Sequence, residues 1–216
     1  MQPFLHSQPG HASDAAPGTG GAARTIHPRW LRLTHWLNAF AVVLLVTSGW
    51  RIYNATQFLG VAIPGAITLG GWLGGALQWH FAAMWLLLVN GLLYLAINLA
   101  SGRLWRQFFP IAPRQLLRDL GAALTGTLAH ADARRYNSVQ RLAYLFVMLD
   151  SVVLVLSGLV LWNSVQFPLL RELLGGYEVA RYVHFVAMSA LCAFIVVHVV
   201  MVALVPRTLV AMLRGH

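Results

Sequence analysis

The chain has 216 residues, 58% of them hydrophobic and only 10% charged, and carries a formal net charge of +9. That is too apolar and too poor in charge for an ordinary soluble domain, and the single cysteine, Cys192, excludes a disulfide framework and a paired-cysteine redox motif. Nor does the positive charge mark a nucleic-acid binder, because every basic residue is an arginine at or between the ends of apolar blocks.

Residues 1–26 are rich in Gly, Ala and Pro and have no apolar core, so they read as a disordered tail rather than a signal peptide or a membrane span. Residues 27–216 read as one membrane domain. Its four apolar stretches, near 31–50, 77–98, 139–162 and 182–205, each supply the roughly 20 residues that cross about 30 Å of hydrocarbon. The fold expected is an all-α, integral membrane four-helix bundle.

Between the first two spans, residues 54–76 form a Gly-rich, apolar loop suited to lie on the bilayer or against a partner. After Ser101 the connection carries Leu117, Leu120, Leu124 and Leu128 at helical spacing with arginines elsewhere on the wheel, the pattern of a short interfacial helix. The last loop, 163–176, contains Pro168 and a Gly175-Gly176 break. No internal repeat is visible. Trp30, Trp36 and Trp105 mark one interface, and Trp50, Trp72, Trp79 and Trp162 the other.

The arginines orient the bundle. Twelve of the 15 flank the ends of the spans on one side, and only Arg51, Arg171 and Arg181 lie on the other. By the positive-inside rule both termini are cytoplasmic.

Four histidines lie within the spans: His35, His80, His184 and His198. An imidazole in hydrocarbon must be paired or coordinated, since an unsatisfied polar group there costs several kcal/mol. One such histidine can serve as a helix–helix hydrogen bond, but four with almost no other ionisable side chain, Asp150 being the main exception, point to ligation. Depth sets the pairing: His35 with His198 on the cytoplasmic side, His80 with His184 near the external face. Along the fourth span, 14 residues from His184 to His198 amount to about 21 Å of rise and return within roughly 40° of the starting direction. Two imidazoles facing one interior at that spacing fit two stacked bis-histidine haems of b type. Ser48-Gly49 and Ser157-Gly158 lie at similar depth, where small residues give the outer macrocycle room or simply allow close helix packing. Arg51 and Arg181 outside, with Arg32 or Arg141 inside, are the cations available to haem propionates.

With Leu33-Thr34-His35-Trp36, His80 at the start of the second span and the His184/His198 pair, the chain from Ile26 onward resembles the di-haem cytochrome b family. That family includes prokaryotic cytochrome b561 and the b-type membrane subunits of nickel–iron hydrogenases, formate dehydrogenases and thiosulfate reductases. Tyr136-Asn137-Ser138-Val139-Gln140-Arg141, followed by Tyr144, is similar to the start of the third helix in subunits that serve larger enzymes. The resemblance implies a bacterial cell-membrane protein with a quinone site near the cytoplasmic haem, Asn137 and Gln140 being its polar contacts. A helix cap or a solvated loop accounts for the same two amides. The activity implied is relay of electrons between the quinone pool and an external catalytic subunit, a molybdopterin-dependent oxidoreductase or a hydrogenase. The rivals are a self-contained quinone oxidoreductase acting on a small external species such as superoxide, and a haem-free membrane anchor or transporter.

Overall fold

The computed structural model describes residues 28–102 and 138–215. The tail 1–26, the interfacial helix expected around 117–128, and Asn137 lie outside the described residues. In chain order the helices are α1 (Arg29–Ala55), α2 (Leu73–Ala100), α3 (Ser138–Asn163), α4 (Pro168–Leu173), α5 (Tyr177–Leu204) and α6 (Pro206–Arg214), with a short 3-10 turn at Gly65–Ile67. There is no strand among the described residues. Helices α1, α2, α3 and α5 are each long and apolar enough to cross a membrane.

All four outrun their apolar windows, α1 from residue 29 to 55 and α5 from 177 to 204, because helical hydrogen bonding continues through the interface after the hydrophobic stretch ends. The start signals are local. Pro168 and Pro206 each open a short helix, where the missing N–H costs nothing and the fixed φ is already helical. Those two helices, α4 inside the last loop and α6 at the C-terminus, are additions to the four spans read from the sequence. The chain reverses between α4 and α5 through Gly175 (φ 78°) and Gly176 (φ 97°), a left-handed turn that favours glycine, with Gly176 N–H donating to the Arg171 carbonyl at 2.8 Å.

Close packing joins α1 to α2 and α3 to α5, making two helical hairpins. The seams hold small residues: Ala41, Ala76 and Ala83 in the first, Ala180 and Ala187 beside Val160 in the second, all buried. Without water to drive apolar side chains together, helices in lipid associate by close backbone approach, and small residues permit it. Larger apolar side chains such as Val43, Leu93, Val152 and Val196 are more than half exposed, the surface that hydrocarbon solvates. One polar clamp stands in the first hairpin, where the Asn90 amide donates to the Thr34 carbonyl at 2.8 Å and to Asn38 Oδ1 at 2.7 Å.

The two hairpins repeat one pattern. Ala76, His80 and Ala83 occupy α2 at the same offsets as Ala180, His184 and Ala187 in α5. Ser48-Gly49 of α1 corresponds to Ser157-Gly158 of α3, and seven residues earlier Ala41 corresponds to Asp150. The sequence shows no repeat because only these contact positions match while the lipid-facing residues between them differ. Both hairpins start at the same end of the bundle, so they form a parallel repeat about an axis along the helices. Hereafter the end where α1 and α3 begin is the terminal end, and the opposite one the loop end.

Asn90→Leu removes both amide hydrogen bonds and leaves the Asn38 side chain without its partner. The expected outcome is a loss of about 1–2 kcal/mol of stability, read as a lower unfolding midpoint in detergent, with the helix content of the folded protein unchanged.

Candidate metal centres

The structure brings the four membrane histidines together as two pairs. His80 of α2 faces His184 of α5 with ring centroids 6.5 Å apart, and His35 of α1 faces His198 of α5 at 6.3 Å, each pair at an interplanar angle of 61°. A metal held between two imidazoles puts their centroids about 6.4 Å apart, taking about 2 Å for each metal–nitrogen bond and about 1.2 Å from nitrogen to ring centre. Both pairs stand at that separation.

The loop-end pair has its tautomer set by neighbours. Ser48 Oγ donates to the Leu44 carbonyl at 2.5 Å, so toward His80 Nδ1, 3.1 Å away, it acts as acceptor. Ser157 Oγ likewise donates to the Val153 carbonyl at 2.6 Å and stands 3.0 Å from His184 Nδ1. Each Nδ1 therefore carries the proton, and each Nε2 keeps its lone pair for a metal. The adjoining glycines make the seat. A Cβ added at Gly158 would lie 3.3 Å from His184 Cε1, and one at Gly49 would lie 3.5 Å from His80 Cε1. The Ser-Gly pairs thus contact the imidazoles, a role added to the macrocycle clearance or close helix packing read from the sequence. The usable signal was the recurrence of Ser-Gly at matching depth in the first and third spans.

The terminal-end pair is set by rings. Phe194 stacks on His198 at 5.9 Å with an interplanar angle of 15°, and Trp36 meets the edge of His35 at 5.5 Å. Phe194 is one turn before His198, and Trp36 is adjacent to His35, so each helix braces its own histidine.

No group of three or more His, Cys, Asp or Glu side chains converges on a metal position among the described residues. Each pair brings two imidazoles together without a third such side chain among the described residues. A zinc site, which takes four donors, is not met by this set. A metal that brings its own planar donors and needs only two axial ligands is.

Above the loop-end pair the chain folds back on itself. Asn54 binds residue 63 twice, its amide donating to the Ile63 carbonyl at 2.7 Å and its Oδ1 accepting the Ile63 N–H at 2.9 Å. Phe58 is thereby set among Tyr53, Tyr182 and Phe185, ring centroids 4.7–5.3 Å away, with the Arg181 guanidinium 4.8 Å above it. This part of the loop is tied to α1 and α5, whereas Leu59, Val61, Ile67 and Trp72 remain exposed.

Arg181 also pairs with Glu178 at 3.4 Å, while its buried Nε has no hydrogen-bond partner. Arg51 lines a small recess with Asn54, Ala55 and Leu73. At the terminal end Arg32 donates to the Leu213 carbonyl at 2.7 Å, tying α1 to the end of α6, and its Nε too is buried without a partner. Gln140 lies in the first turn of α3.

Residues 26–215 match the model of a protein family described as "Prokaryotic cytochrome b561". A putative protein-methionine-sulfoxide reductase subunit, YedZ1, of Azospira oryzae is 69% identical over 191 residues, covering 88% of this chain and 96% of that protein. A probable Ni/Fe-hydrogenase B-type cytochrome subunit of Cupriavidus necator is 26% identical over 202 residues, 85% of this chain and 80% of that one. No solved structure matches.

Proposed function

The chain belongs to the prokaryotic cytochrome b561 family, and from that premise we propose that it holds two b-type haems and relays electrons between a quinone and an external catalytic subunit. The observation that carries the reading is the presence of two histidine pairs at metal-bridging separation, neither joined by a third His, Cys, Asp or Glu among the described residues. A haem would suit such a donor set, since it brings most of its own iron ligands and would need only the two histidines of a pair from the protein.

His80 and His184 hold the loop-end haem; His35 and His198 hold the terminal-end haem. When bound, haem iron supplies one-electron chemistry that no side chain here possesses. The chain's own residues do the rest. Ser48 and Ser157 fix the ligand tautomer, which keeps both imidazoles neutral and basic toward iron. Arg181 and Arg51 face the loop-end propionates, and Arg32 with Arg141 the terminal-end ones; the unpartnered Nε atoms of Arg181 and Arg32 fit that assignment. The Asn137 and Gln140 amides would receive the quinone carbonyls. The bias of arginines to one side of the spans in the sequence supports cytoplasmic termini by the positive-inside rule. Rise along α5 separates the two pairs by about 21 Å, which spans most of the hydrocarbon layer, so electrons passing from one to the other cross the membrane.

Both relatives are named as subunits of larger oxidoreductases, which favours a catalytic partner over a self-contained enzyme. The name borne by the more similar of the two directs the choice of partner to a protein-methionine-sulfoxide reductase rather than a hydrogenase.

A pyridine haemochrome assay on the detergent-purified protein is expected to give two b haems per chain, and a folded, colourless protein would sink the reading. His198→Ala and His80→Ala are each expected to leave one haem, with different spectral components lost; loss of the same component in both would overturn the pairing. Ser157→Ala leaves the His184 ring free to turn, so the loop-end haem should dissociate roughly 10–100 times more readily, measured by transfer of haem to a soluble acceptor protein. The terminal-end haem serves as the internal control.

A further inference from the structure

Asp150 stands apart from every other ionisable side chain in the bundle. It lies in the middle of α3, is 9% exposed, and its buried Oδ2 has no hydrogen-bond partner. A carboxylate at such depth is costly to keep, and uncompensated ones are rare unless they have a task. The fold does not require it. The matching position of the first hairpin is Ala41, fully buried at the same level of α1.

Its level is the informative part. Ser157, which holds His184, is seven residues further along α3, about 10.5 Å toward the loop end. The two histidine layers are about 21 Å apart by rise along α5, so Asp150 lies midway between them. It also lines a wide-open surface cavity of ≈ 390 Å³ on the seam between α3 and α5, shared with Val153, Val186 and Ala190 and with Tyr182 toward the loop end. Charged and titratable groups on the elements packed against α3 are Tyr177, Glu178, Arg181, Tyr182, His184, Cys192 and His198 of α5, with Arg171 and Glu172 of α4. Of these only Tyr182 lines the cavity. Glu178 is paired with Arg181 at the loop end, and Cys192 is turned toward Met188 at 3.6 Å. Among the described residues no cationic side chain is paired with the carboxylate.

We propose that Asp150 is the proton-accepting partner of the two haems, taking up one proton when they are reduced and releasing it when they are oxidised. The inference rests on the two-haem reading above. At low dielectric charges act over long distances, so a carboxylate at a level midway between the two histidine layers would respond to the charge on either iron. One electron from a reductant, a quinol or dithionite, converts one ferric iron to ferrous, and one proton from the aqueous phase binds the carboxylate oxygen. No other bond changes. The negative charge in turn favours the ferric state, which holds both potentials down while the carboxylate is ionised. Asp150 touches neither reactant nor ligand; it is a positioning residue for charge.

The test is redox potentiometry on the full chain in detergent, followed in the haem absorption bands, at mildly acidic and mildly alkaline pH. Wild type is expected to show potentials that fall as pH rises. Asp150→Asn should keep two haems, lose that dependence, and hold more positive potentials than wild type at alkaline pH. Asp150→Glu should restore the dependence. Where the amide does not fold, Asp150→Ala, the residue the other hairpin carries at this level, takes its place. Flat wild-type potentials, or an undiminished slope in the Asn or Ala variant, overturn the inference while leaving the two-haem reading intact. Absence of haem from wild type overturns the reading on which it rests.

Discussion

An imidazole inside a membrane has two ring nitrogens to satisfy and no water to satisfy them. In this protein the requirement is met from opposite sides. For His80 and His184 the first nitrogen goes to a serine of the hairpin partner, and the two rings face each other with centroids 6.5 Å apart. The serine can accept only because its own proton is already given to its helix, to Leu44 in one hairpin and Val153 in the other. Hydroxyl, ring and helix carbonyl thus form one ordered chain whose loose end is a lone pair. The small seam residues serve the same constraint, since a serine reaches the next helix's ring only when the two backbones lie close.

This division of labour explains why the helices pack in pairs rather than evenly. Within each hairpin, alanine and glycine let the backbones meet; between hairpins, aromatic and imidazole rings span a wider gap. A bundle packed uniformly would leave no room for a planar group between opposed histidines. A bundle without the close seams would lose the serine contacts that orient them. The interior is therefore built for something the polypeptide does not itself supply, which agrees with a family of cytochromes.

Much of this was legible in the sequence, and the reasons are physical. Spans of about 20 apolar residues have one common use, and a histidine at known depth in a helix of known rise can be paired by arithmetic. The functions of Ser48, Gly49, Ser157 and Gly158 were not legible, because small residues serve close packing and ligand seating equally well and only distances separate the two. The repeat was hidden for a related reason: lipid-facing positions accept any large apolar side chain, so the two hairpins diverge everywhere except at contacts. The loop tied down by Asn54 was also missed, since a bidentate amide to a backbone nine residues away leaves no periodic trace. Asn137 and the arginine-rich connection lie outside the described residues.

The repeat also accounts for how two similar sites become unequal. His80 and His184 are equivalent residues of the two hairpins, so the loop-end pair lies across the axis that relates them. The terminal-end pair breaks that relation. Thirteen residues before Ser48 is His35, but thirteen before Ser157 is Tyr144; fourteen after His184 is His198, but fourteen after His80 is Tyr94. At the terminal end, then, one diagonal of the bundle carries histidines and the other carries tyrosines. Helices α2 and α3 consequently donate no histidine at the terminal end, and the start of α3, with Gln140 in its first turn, is released for a different use. Asp150 breaks the same symmetry at mid-depth, standing where the other hairpin has Ala41. The two hairpins therefore keep one pattern at their seams and differ in the polar groups they carry at the terminal end and at mid-depth, where α3 alone holds a carboxylate.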